Sequence, residues 1–166
     1  VGKVYEGGTI TSNMYITVEC YAKAGGFTYT VNADGKTATV TGFDSTTAEP
    51  LTDGTYRVTI DMIDGHIVTA IADGAFKGEK GTGISEVYIA NTVTTIGAES
   101  FMNMSNLRLV DIAPGGLSVI GESAFENAGC VQDSDGNWAV NTEGGVDELT
   151  MILPLADLTD IQPYAF

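Results

Sequence analysis

The sequence predicts a mainly β chain wound as a right-handed repeat solenoid, its first coil covered by an N-terminal β-hairpin. Three observations predict it. A short motif closing on Phe recurs four times in the second half, a brief apolar alternation stands ahead of each copy, and an alternating run in the first half turns on Asp-Gly. With 166 residues, 43% of them hydrophobic, the chain is long enough to bury a core of its own.

The four copies are IVTAIADGAF (Ile67 to Phe76), VTTIGAESF (Val93 to Phe101), LSVIGESAF (Leu117 to Phe125) and LTDIQPYAF (Leu158 to Phe166). Aligned on the final Phe, they stand 25, 24 and 41 residues apart. The first two spacings fall in the period range of leucine-rich repeats, and the third is one period plus an insertion of 41 − 24 = 17 residues. Self-similarity at such a period marks coils that cannot bury their apolar face alone and must stack on one another.

In chain order, residues 1–53 read as an N-terminal β cap region and residues 54–166 as leucine-rich-type repeats. Within the cap, Met14 to Cys20 alternates like a strand, and FTYTVNADGKTATVTGF (Phe27 to Phe43) alternates on both sides of Asp34-Gly35, a strong hairpin signal. Such a hairpin would cover the strand edges that the open end of a solenoid exposes. The repeats open with V58-T59-I60, a loose copy of the alternation that returns as V87-Y88-I89, V110-D111-I112 and M151-I152-L153. Alternation over so few residues predicts short strands with one buried face. The recurring Val, Ile and Phe point inward.

Gly97 and Gly121 precede the return segment at equivalent places, where a positive φ or a close approach to the next coil is expected; Gly74 does not align with them, which makes the first copy irregular. The insertion, about 130–145, reads CVQDSDGNWAVNTEGG and carries Asp135-Gly136 between two extended pieces. It predicts a hairpin protruding from the coil edge.

The formal charge of −15 arises from 22 acids against 7 bases, and ten acids follow the last base, Arg108. Phosphate binding needs clustered Lys and Arg, so nucleic acid is excluded as a partner. Basic protein surfaces, neutral glycans and divalent cations remain compatible. No stretch has the length of a membrane span, so no membrane insertion is expected. Cys20 and Cys130 permit one pairing and lie in no metal-ligand spacing.

At this point the string from Phe27 through Phe166 resembles the BspA-like leucine-rich repeats, also called the Treponema pallidum type. The elements that carry the resemblance are FTYTVNADGKTATVTGF, IDGHIVTAIADGAF and ISEVYIANTVTTIGAESF, which occur in the family's order. Ala90 stands where the family has a proline, Met104 where it often has a cysteine, and the insertion is extra. The resemblance implies a surface or secreted protein of a host-associated bacterium, with adhesion to host or bacterial proteins. It brings no catalytic residues.

Candidate chemistry is correspondingly sparse. His66, the single histidine, follows Asp64-Gly65 and reads as a surface turn, since no nucleophile or orienting group stands in spacing with it. Asp133, Asp135 and Glu143 fail the EF-hand pattern and read as a solvated hairpin turn, so no metal and no cofactor are expected. The strand positions expected to face outward are Glu86 and Tyr88, Leu109 and Asp111, and Thr150 and Ile152. With Trp138 on the insertion they form the candidate binding set. Trp138 is read more readily as a pin holding the hairpin to the coil than as an exposed anchor.

The expected function is a non-catalytic protein-binding or adhesion module, extracellular or on a bacterial surface, whose partner is a host or bacterial surface protein. The alternative is a glycan-binding or positioning module of a larger secreted enzyme, with Trp138 and Tyr88 as stacking platforms. The ending on Phe166, a return-segment Phe, carries the expectation that the natural protein continues.

Overall fold

The computed structural model describes residues 26–81, 83–142, 148–154 and 156–166. The expected strand at Met14–Cys20, the Glu143 carboxylate and the Cys20–Cys130 pairing lie outside them.

The first hairpin pairs β1 (Phe27–Val31) with β2 (Thr37–Phe43) in antiparallel register, with an irregularity at Thr28/Tyr29. Its connection is longer than a two-residue turn because Asp34 organises it: one carboxylate oxygen accepts from the Lys36 and Thr37 amides at 2.8 and 2.9 Å. The Thr37 hydroxyl donates to the other oxygen at 2.9 Å. These donors hold the Asp34 carboxyl below its usual range.

From here the chain alternates between two ladders. One receives β3 (Tyr56–Ile60), β6 (Ile84–Ile89), β8 (Leu109–Ile112) and β12 (Thr150–Ile152), all parallel. The other receives β5 (His66–Ile71), β7 (Thr95–Ile96), β9 (Val119–Ile120) and β13 (Asp160–Ile161), also parallel. A short β4 (Met62–Ile63) folds back antiparallel onto β5. We refer to these as the first and second ladders. Each repeat therefore adds one strand to each, as the sequence spacing predicts.

The hairpin is continuous with this array, for β2 pairs in parallel with β5 and places Val40 opposite Ile71. The insertion forms a separate two-stranded sheet of β10 (Cys130–Gln132) and β11 (Trp138–Val140).

The core lies between the ladders and the return segments. Val87, Ile89, Val110 and Ile112 of the first ladder, Val68, Ile71, Ile96 and Ile120 of the second, and Phe76, Phe101 and Phe125 of the return segments are all buried. Burying one such side chain contributes about 1.5–3 kcal/mol. The three phenylalanines and Phe166 stack ring on ring, with centroids 5.1, 4.9 and 5.8 Å apart. Phe27 of the hairpin closes the other end of the column edge-on, 6.3 Å from Phe76.

Polar ladders run alongside. The hydroxyls of Thr94, Ser118 and Thr159 each donate to the backbone carbonyl of the equivalent residue one repeat earlier, at 3.1, 3.0 and 3.1 Å. The return segments, though not strands, bond likewise: the amides of Phe76, Phe101 and Phe125 each donate 2.8 Å to the next repeat. A left-handed residue stands two places before each Phe: Gly74, Glu99, Ser123 and Tyr164 have φ between 52° and 60°. Gly74 is the counterpart of Glu99 and Ser123, so it does not align with Gly97 and Gly121, as the sequence spacing indicates. Gly97 and Gly121 serve close approach instead of positive φ: a Cβ on them would lie 2.6 and 2.4 Å from backbone of the preceding repeat.

Candidate functional site

The alternation of the first ladder sends Val87, Ile89, Val110 and Ile112 inward and leaves Glu86, Tyr88, Leu109, Asp111, Thr150 and Ile152 on its outer face. Parallel in-register pairing then sorts them into two columns. One runs Arg57, Glu86, Leu109, Thr150; the other runs Thr59, Tyr88, Asp111, Ile152. Six of the seven sequence-derived candidates therefore stand on one face. Arg57 and Thr59 were missed, although V58-T59-I60 was visible as a loose copy whose outward neighbours are these two.

Side-chain geometry concentrates at one end of the face. The Arg57 guanidinium meets the Glu86 carboxylate at 2.5 Å and lies 5.8 Å from the Tyr88 ring centroid, while the Tyr88 hydroxyl donates to the same carboxylate at 3.2 Å. The Arg57 hydrogen bond, before any other cause, holds the Glu86 carboxyl below its usual range. Partial burial, reinforced by the Glu86 charge, pushes the Tyr88 phenol up. Glu86 is committed to charge pairing, and Tyr88 remains a neutral ring. Beside it, Thr59, Tyr88, Ile89, Ala90, Asp111 and Ala113 line a shallow depression of about 180 Å³.

Trp138 is elsewhere, on β11, and 40% exposed. It does not pin the hairpin as the sequence suggested. The pin is Asn141, whose amide nitrogen donates to the Ser105 carbonyl at 2.9 Å and whose backbone N–H donates to Gly129 at 2.8 Å. A tryptophan gains burial only when apolar neighbours surround it, and the hairpin offers Trp138 its cross-strand partner Gln132 on an exposed two-stranded sheet.

The hairpin turn uses its own acids. Asp133 accepts from the Asp135 and Asn137 amides at 2.9 and 2.8 Å, and the Asn137 hydrogen bonds hold its carboxyl below the usual range. Among the described residues no three His, Cys, Asp or Glu side chains come together as a metal cluster. His66 differs from its expected turn position: it opens β5 opposite Ile63, half-buried, with Nδ1 unpartnered and its ring 6.1 Å from Tyr29.

Comparison with known proteins agrees with this architecture. Residues 62–135 match the BspA type leucine rich repeat region in six copies. The chain is similar to the crystal structure of a leucine rich cell surface protein from Faecalibacterium prausnitzii A2-165, with 29% identity and a TM-score of 0.58 over 86% of this chain. It spans 32% of that protein. It is also similar to a leucine-rich repeat protein from Bacteroides capillosus ATCC 29799, with 25% identity and a TM-score of 0.50 over 85% of this chain and 96% of the other. No curated protein matches the chain. The resemblance of the repeats to the BspA-like type therefore holds, as does the mainly β repeat fold. Among the described residues no helix is long and apolar enough to cross a membrane.

Proposed function

We propose that the chain is a non-catalytic adhesion module of a secreted or cell-surface bacterial protein, and that it grips a partner protein with the outer face of the first ladder. The observation that carries the reading is the register of Thr59, Tyr88 and Asp111 across three neighbouring strands. It sets a rigid aromatic ring beside a carboxylate on a backbone that costs little further ordering on binding. Extended strand faces are the surfaces repeat arrays use for protein contacts. Glu86 already accepts from Arg57 and Tyr88, an arrangement suited to shape and charge recognition more than to proton transfer. The cell-surface description of the Faecalibacterium relative supports the location.

The exposed ring of Trp138 favours a second reading, glycan binding through the insertion hairpin, for a partner stacked on an aromatic face. The two readings use different residues. Binding of the chain to an array of matrix proteins, bacterial surface proteins and glycans, with Tyr88→Ala and Trp138→Ala prepared separately, distinguishes them. Protein binding lost in Tyr88→Ala and kept in Trp138→Ala supports the first; glycan binding lost only in Trp138→Ala replaces it with the second.

A further inference from the structure

The outer face of the first ladder is indented at one place, and the cause lies in how Tyr88 leans. Its hydroxyl reaches back two residues to the Glu86 carboxylate at 3.2 Å, so the ring tilts toward the start of β6. The far end of the strand is left open. There the side chains are small, Ala90 after β6 and Ala113 after β8, and with Thr59, Ile89 and Asp111 they line the depression of about 180 Å³.

Size excludes one class of occupant, because sites for free small molecules enclose about 300–1,000 Å³. The depression suits a single side chain. Charge then selects which. Of the two carboxylates in the columns, Glu86 is paired with Arg57, whereas the Asp111 carboxylate makes no hydrogen bond or ion pair among the described residues. The chain carries −15 overall, which repels an acidic occupant. An apolar floor that ends in an unpaired carboxylate matches a side chain with an alkyl stem and a cationic head.

We infer that this depression receives one Lys or Arg side chain from an extended segment of the partner protein, its stem over Ala90 and Ala113 and its cation on the Asp111 carboxylate. The inference rests on the reading of the face as a protein-binding surface and names the chemistry that the surface selects. Arg57, 5.8 Å from the Tyr88 ring centroid, disfavours a second cation on that flank by like-charge repulsion.

The test is an amide-resolved NMR titration of the chain with blocked pentapeptides Gly-Thr-X-Thr-Gly, where X is Lys, Arg, Leu or Glu, at low salt. The Lys and Arg peptides are expected to shift the Ala90 and Ala113 amides saturably, with Leu and Glu at least about fivefold weaker. Asp111→Asn, isosteric and half-exposed, should weaken the Lys peptide about three- to tenfold with the spectrum otherwise preserved. Asp157→Asn, at an exposed carboxylate in the connection between β12 and β13, should leave it unchanged. Equal binding of the Leu peptide, no effect of Asp111→Asn, or shifts confined to other residues would overturn the inference. Tyr88-dependent protein binding on the array, combined with any of those results, leaves the surface reading standing and removes only the basic anchor.

Discussion

The ring of Phe101 lies parallel to that of Phe125, their planes 1° apart and their centroids 4.9 Å apart, so the side chain at the centre of the column is held between its own copies on both sides. Removing it opens a cavity that neither neighbour can fill without leaving its rotamer. Phe101→Ala is expected to cost about 3–5 kcal/mol of unfolding free energy in urea. Phe166 belongs to the same column but is 54% exposed, so Phe166→Ala should cost roughly a third as much or less. Equal losses would mean that the column is not the spine of the array.

One position beside that column works against stability. Immediately before each Phe stand Ala75, Ser100, Ala124 and Ala165, all buried, and the Ser100 hydroxyl has no hydrogen-bond partner. A buried, unsatisfied hydroxyl costs about 1–3 kcal/mol in desolvation. Ser100→Ala should therefore raise the urea midpoint, corresponding to about 1 kcal/mol of added unfolding free energy once the lost volume is allowed for. A lower midpoint would reveal a hydrogen bond to that oxygen.

The repeat was legible because inward positions must match from one coil to the next: Val87 over Val110 and Ile96 over Ile120 are the same residue in the same place for the same packing reason. What could not be read has equally physical causes. The left-handed position two before each Phe is filled by Gly74, Glu99, Ser123 and Tyr164, four side chains with nothing in common but tolerance of a strained φ, so no letter marks it. The outer face was legible except on its first strand, since Arg57 acquires its role from Glu86, 29 residues on, through strand register. Trp138 misled because size alone suggests burial, while the smaller Asn141 has the hydrogen-bonding groups that tie the hairpin down.

Gly121 separates steric from conformational reasons for glycine. A Cβ there would sit 2.4 Å from the Ala98 nitrogen and 2.6 Å from the Gly97 carbonyl carbon, both backbone atoms of the preceding repeat. Gly121→Ala must push two coils apart and should destabilise by about 2 kcal/mol or more, in the range of overpacked cores. Gly35, whose Cβ would meet nothing within 4 Å, provides the contrast through its φ of +65°. Gly35→Ala should cost about 1–2 kcal/mol, the penalty of a left-handed alanine. A small effect at Gly121 would mean that the return segments are looser than this packing implies.

The pairing of Arg57 with Glu86 makes the outer face sensitive to acid. The Glu86 carboxyl is lowered from its ordinary value of 4.5, chiefly by the Arg57 hydrogen bond, so its folded-state pKa lies below its unfolded one. A group shifted in that direction contributes stability that is fully present above the unfolded value and is lost as pH falls through the folded value. The contribution thus begins to decline as pH falls past about 4.5 and is gone below the lowered folded-state value, while neutral pH leaves it intact. Carboxyl-detected NMR should place the Glu86 midpoint below 4.5, and Arg57→Gln should move it back up toward that value. Because Tyr88 also donates to this carboxylate, but from 3.2 Å and without a charge, Tyr88→Phe should give a smaller rise. If Arg57→Gln left the midpoint where it was, the ion pair across β3 and β6 would not form in solution.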